Sequence, residues 1–182
     1  MVAMMIMAVL MVAVVPSLFR TRADLRLKGD GRGIAQAVGV TKMRAAARFT
    51  RARLFVDLAN RAYYPQIWDT ATNTWVTEDM TSSLSQGVSF GFAGLDTPPT
   101  GTQNAIQQSN ACTDAAGAAI PNTACIAFNS RGIPINPANG SPQGGNAFYI
   151  TDGTAVFATT VTATPLVRLW WSPANTVAWV QQ

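Results

Sequence analysis

Histidine is absent from the 182-residue chain, which removes imidazole triads and imidazole metal ligands from the chemistry open to it. Charge is scarce too. Charged residues make up 12% of the sequence, low for a soluble cytosolic domain, whereas Gly, Thr, Asn and Ala are plentiful. No serine stands in a G-x-S-x-G elbow, and neither Gly31-Arg32-Gly33 nor Gly144-Gly145 completes a nucleotide-binding loop. Asp114 and the Glu78-Asp79 pair remain as cation ligands in principle, but exposed loop acids are ordinarily just solvated. No catalytic residue, metal or cofactor is expected. Cysteine is limited to Cys112 and Cys125. With no histidine to complete a zinc site, these read either as a disulfide in an exported protein or as two buried thiols. A bridge closing a loop of this size stabilises a domain by about 3 kcal/mol.

What the sequence has in abundance lies at its start. Residues 1–19 carry no charge, and Ser17 is their one side-chain hydrogen-bonding group. As a helix this run is roughly 28 Å long, close to the hydrocarbon thickness of a bilayer. Arg20, Arg22, Asp24, Arg26 and Lys28 come immediately after it. A cleaved secretory signal fits poorly, because a basic n-region and an A-x-A site are both missing. A plain single-pass anchor fits better. Basic residues crowd the first part of the chain: ten of them stand against Asp24 and Asp30 up to Arg53, and three stand against seven acids beyond it. The sequence pI of about 9.6 therefore describes a basic stalk beside a membrane surface rather than a nucleic-acid site. Taken alone, the basic run after residue 19 favours a cytoplasmic location for the chain beyond the anchor.

Gly29, Gly31 and Gly33 then interrupt the helical pattern, each costing about 1 kcal/mol relative to alanine in a helix interior. A helix break at residues 29–33 is expected there, at the least a hinge between anchor and domain. From Ile34 the period returns through Ala37, Val38, Thr41 and Ala45, giving a helix face able to lie on a sheet. Near Arg48 the period switches to two. Ala52, Leu54, Val56 and Leu58 alternate with Arg51, Arg53, Phe55 and Asp57, which predicts a half-buried strand. Residues 62–68 and 74–77 make further strands around a tight polar connection, and 84–92 a short one with Val88, Phe90 and Phe92 on one face. Residues 96–122 have no sustained period and read as a long surface loop, a candidate for function. Strands resume at 125–128, with a turn at 129–132 and a second loop at 136–146. The end is the most regular part: strands at 147–151, 155–162, 166–171 and 176–180, with Asp152-Gly153 as a hairpin signal. Trp170 and Trp171 must point to opposite faces of their strand, one into the core and the other serving either as contact surface or as amphipathic cover.

The fold class is thus α+β: residues 1–48 form a long N-terminal helix, apolar over 1–19 and basic over 20–48, packed on an antiparallel β-rich domain of residues 49–182. The run MVAMMIMAVLMVAVVPSL resembles the N-terminal helix of type IV pilins and of the pseudopilins of type II secretion. Pro16-Ser17 stands where that family usually has Ile-Pro-Ser. Phe128-Asn129-Ser130-Arg131-Gly132, then Tyr149 to Gly153 and a final strand-turn-strand, are similar to the GspH/FimT branch, although Asn129 and Asn175 replace the usual acid and glycine.

The resemblance implies a structural subunit rather than an enzyme. It would be a minor pseudopilin of a type II secretion filament, single-pass in the bacterial inner membrane with a periplasmic domain. A minor type IV pilin, serving pilus priming, adhesion or DNA uptake, is the alternative within the class. Met1, Met4, Met5, Met7, Leu10, Met11, Val14 and Pro16 would form the membrane and filament surface, where flexible methionines repack against lipid or protein. The partners implied are other pilins or pseudopilins, inner-membrane lipid, and a prepilin peptidase acting on a leader. That leader, the N-methylated first residue and the family's glutamate would all precede Met1. The glycine break would then allow partial unwinding in a filament. DNA is not an expected partner, since no Lys or Arg occurs after Arg168. From a different class, a single-pass envelope binding module would use the 96–122 loop and exposed tryptophans to hold a glycan or protein.

Overall fold

The computed structural model of the chain describes residues 2–78 and 81–182, with the side chains of its helix from Arg22 onward. One helix, α1 (Val2–Ala47), leads into two antiparallel sheets. The face forecast by the sequence period is the one that packs: Ile34, Val38, Thr41 and Ala45 are buried, as is Leu27 further up. Thr41 sits in this apolar stripe at no polar cost, because its hydroxyl donates to the Ala37 carbonyl at 2.7 Å. The helix ends where Phe49 adopts φ 51°, with Phe49 N–H bonded to the Ala46 carbonyl and Thr50 N–H to that of Ala45. This geometry caps the last carbonyls and usually employs glycine.

The first sheet is built from β1 (Ala52–Asp57), β2 (Ala62–Asp69), β3 (Thr74–Thr77), β4 (Ser82–Ser83), β6 (Thr123–Phe128) and β7 (Pro134–Ile135). Its order is β3-β2-β1-β6-β7, with β4 also beside β2. The second sheet uses β5 (Ser89–Phe90), β8 (Asn146–Thr151), β9 (Ala155–Val161), β10 (Val167–Pro173) and β11 (Val180–Gln181), in the order β11-β10-β9-β8-β5. One main core joins the helix face to the inner faces of both sheets, through Leu54, Val56, Ile126, Phe128, Phe148, Ile150 and Phe157. Trp171 packs against this core, while Trp170 packs on the opposite side with Tyr149, Val156 and Trp179. The alternation forecast for the adjacent tryptophans is therefore realised.

Four expectations need correction. The helix runs unbroken through Gly29, Gly31 and Gly33. Strand β1 is buried on both faces rather than half-buried, because the long loop returns over its outer side and packs Cys112 and Ile120 near Phe55. The strand expected over 84–92 shrinks to Ser89–Phe90; a turn closed by Leu95 N–H on the Phe92 carbonyl carries Phe92 to the outer cluster while Val88 and Phe90 join the main core. The closing strand expected over 176–180 is confined to Val180–Gln181, because the Ser172 hydroxyl donates to the Thr176 carbonyl and accepts from Ala178 N–H, holding that segment as a loop.

Candidate interaction surfaces

The first surface is the helix itself. Opposite the buried stripe, Leu25 and Met43 are each 63% exposed, and nothing lies within 4 Å of where a side chain on Gly29 or Gly39 would begin. The helix is fixed to the domain at several levels. The Asp30 carboxylate accepts from Ser85 N–H at 2.8 Å and from its hydroxyl at 2.9 Å, and Arg44 and Arg48 pair with Glu78. Lys42 reaches the Pro165 carbonyl at 3.4 Å. Of the residues expected to face lipid or a filament, Met1 and the side chains of Met4, Met5, Met7, Leu10, Met11, Val14 and Pro16 lie outside the described residues. Among the described residues, no helix is long and apolar enough to cross a membrane.

Two of the three stalk glycines have a packing reason that sequence alone did not reveal. A Cβ on Gly31 would lie 2.2 Å from a ring carbon of Phe157, and one on Gly33 would lie 2.8 Å from the Tyr63 hydroxyl. These glycines let the helix axis approach the sheets. Gly29 has no such neighbour.

The second surface was not anticipated. On the outer face of the first sheet, register sets Arg53 beside Gln66 and Phe55 beside Tyr64, and sets Trp68 beside Trp75. The Arg51 guanidinium carbon stands 4.5 Å from the Trp68 ring centroid, and that of Arg53 stands 4.1 Å from the Trp75 centroid. The two indoles meet edge to face at 5.2 Å, and Phe55 stacks on Tyr64 at 5.0 Å. Arg53 is only 2% exposed. Its Nε donates to the Gln66 side-chain carbonyl and its Nη1 to the Thr113 backbone carbonyl, so neutral acceptors and ring faces hold a buried cation. Burial accordingly lowers its pKa to about 10, an effect that Tyr64 opposes only where its own phenol ionises at high pH. Among the described residues, neither Arg51 nor Arg53 forms an ion pair. The signal was present in the sequence as Arg-x-Arg in one strand and two tryptophans flanking the next turn, but only cross-strand register brings them together.

The third is the long loop. Cys112 and Cys125 form a disulfide, which fastens the loop to β6 behind Phe55. Just before it, Ser109 N–H bonds the Ala147 carbonyl in β8, and the next residue's carbonyl, that of Asn110, accepts from Cys125 N–H in β6. Two adjacent residues thus tie one sheet to the other. Gln108 pairs with both the N–H and the carbonyl of Tyr149, as a neighbouring strand would. The acids considered as cation ligands have internal duties. Asp114 accepts from Ala116 and Ala118 N–H, Glu78 pairs with the two helix arginines, and Asp79 lies outside the described residues.

No protein-family sequence profile matches the chain, and no curated protein matches it. Solved structures do. The minor pseudopilin EpsH from the type 2 secretion system of Vibrio cholerae aligns with a TM-score of 0.50 at 11% identity, covering 83% of this chain and 99% of that one. The fold is pilin-like. A second structure of the same pseudopilin aligns at a TM-score of 0.47 and 11% identity, covering 83% and 96%. The likeness is one of architecture: a pilin-like helix laid on antiparallel sheets, with almost no sequence held in common.

Proposed function

We propose that this chain is a structural subunit, a minor pseudopilin of a type II secretion filament, held in the inner membrane by residues 1–19 and facing the periplasm with its β-domain. The observation that carries this reading is the architecture. A single helix lies by one face on two antiparallel sheets, in the arrangement shared with EpsH over 83% of the chain, and its far end is the uncharged run of residues 1–19. A helix bonds its own backbone, so it can pass from lipid into a bundle of similar helices without exposing polar groups. Other pilins or pseudopilins are then the partners, and the role is assembly rather than catalysis. The disulfide suits an oxidising periplasm.

The mass of the N-terminal peptide, from protein purified out of its native membrane with the upstream DNA intact, tests the class. Cleavage after a glycine preceding Met1 and an N-methylated new first residue are expected. An unprocessed N-terminus at Met1 would overturn the filament reading and leave a plain anchored module. A deletion strain tests the machine. Lost exoprotein secretion with normal pili is expected, whereas normal secretion with defective pili would assign the chain to a type IV pilus instead.

A further inference from the structure

Most sheet edges in this fold are blunted. Strands β5, β7 and β11 are two residues each, β7 opens on Pro134, and β8 has Gln108 and Ser109 bonded along its flank. Strand β3 differs. Its sequence, Thr-Trp-Val-Thr, has high strand propensity and contains neither lysine nor proline, the usual guards of an exposed edge. Trp68 N–H bonds the Arg51 carbonyl on the β1 side, and Glu78 N–H bonds the Pro65 carbonyl on the β3 side. Backbone groups alternate in direction along a strand. Val76 therefore faces β2, while the N–H and carbonyl groups of Trp75 and Thr77 point away from the sheet. Among the described residues, none of these outward groups has a backbone partner.

Among the described residues, four arginines stand near this edge against two carboxylates. Arg51 and Arg53 reach across β2 to lie 5.9 and 4.1 Å from the Trp75 ring centroid, and Arg44 and Arg48 share the single carboxylate of Glu78. The other nearby described acid, Asp69 at the start of the turn, is occupied by Ala71 N–H and the Thr72 hydroxyl. Ring faces on this side are covered by guanidinium groups, so flat stacking ligands find little free platform. What is left open is a strand edge next to the half-exposed Arg51 guanidinium, over a buried cation. A second copy meeting it edge to edge would bring two arginine-rich faces together instead of supplying an opposing carboxylate. We propose that the β3 edge is a docking site for an extended acidic segment of another protein, which adds as a strand against Trp75 and Thr77 and places a carboxylate on Arg51. Only a polypeptide satisfies both the backbone ladder and the charge. This inference goes beyond the filament reading and stands without it.

The test uses the full chain in mild detergent and two short fluorescently labelled peptides, one alternating Glu with Val and Thr, the other with Lys in place of Glu. Binding is read by fluorescence polarisation. The acidic peptide should bind, more weakly as salt rises, and the basic one should not. Thr77→Pro should abolish binding by removing the outward N–H, at an edge position where proline is tolerated. Thr77→Val, which keeps that N–H, should bind as the natural chain does. Arg51→Glu should weaken the acidic peptide by about tenfold and let the basic peptide bind, as reversing the charge that reaches over the edge requires. This reciprocal exchange keeps the test decisive should Thr77→Pro fail to fold by circular dichroism. Failure of the acidic peptide to bind, equal binding of both peptides, no response to Arg51→Glu, or binding of an oligothymidylate or an acidic oligosaccharide in place of the peptide would each overturn the proposal.

Discussion

At the scale of single residues, Phe49 stands apart. It occupies the left-handed position that closes the helix, with φ 51°, and its side chain is 86% exposed. A non-glycine residue pays roughly 1 kcal/mol for this conformation, and an exposed ring returns little through burial. Phe49→Gly is therefore expected to raise stability by about 1 kcal/mol, partly offset by the freedom glycine gains in the unfolded chain. Denaturant melts of the two proteins check this. A variant less stable than the natural chain would mean that the ring makes contacts stronger than its exposure allows. Arg53 is the opposite case, a buried charge held by neutral groups. The sequence showed it only as the polar member of an alternating strand, because period-two reasoning sends such a residue to water. Its burial depends on the returning loop, and no local pattern in β1 announces that loop.

At the scale of elements, the C-terminal hairpin was the most legible part. Its two long strands, β8 and β9, were readable from uninterrupted apolar and β-branched runs, and the turn from Asp152-Gly153. The turn nevertheless spans more than two residues, since the last register pair is Thr151 with Val156, and Asp152 organises it. Its carboxylate accepts from Thr154 N–H, the Thr154 hydroxyl and Ala155 N–H. Burial pushes its pKa up, but these hydrogen bonds together outweigh it and hold the carboxyl below its ordinary value. A carboxyl depressed in the folded state contributes stability that is present above the unfolded pKa, near 3.8, and is lost as pH falls through the lower folded value. Thermal melts between neutral and strongly acid pH should show this loss, and Asp152→Asn should flatten the acid slope while lowering stability modestly at neutral pH. Parallel acid profiles for the two proteins would show that the hairpin does not depend on the ionised carboxylate. The weaker elements, β5 and β11, were overestimated from sequence because side-chain bonds such as those of Ser172 compete with strand pairing.

At the scale of the whole molecule, the question is how the helix is joined to the sheets. Three glycines in five residues read locally as a break, and propensity alone supports that reading. The continuous helix shows where propensity loses: Gly31 and Gly33 allow close approach to Phe157 and Tyr63, and the core gained by that approach offsets the entropy each glycine adds to the unfolded chain. Nothing in residues 29–33 themselves distinguishes a contact glycine from a flexible one, because the contacting side chains lie more than a hundred positions away in one case and thirty in the other. The distinction is measurable within a single turn of helix. Gly29→Ala meets open space and should stabilise the protein by about 1 kcal/mol through helix propensity. Gly31→Ala forces a methyl group into the buried Phe157 ring and should destabilise it by about 1 to 3 kcal/mol despite the same propensity gain, with Gly31→Ala combined with Phe157→Leu recovering part of the loss. Two-state denaturant unfolding of the three variants decides it. If both alanines stabilise equally, the glycines serve flexibility and the helix does not need the close approach. If only Gly31→Ala destabilises, the close approach to Phe157 is what couples the helix to the second sheet, and unwinding at this level would cost the molecule part of its main core.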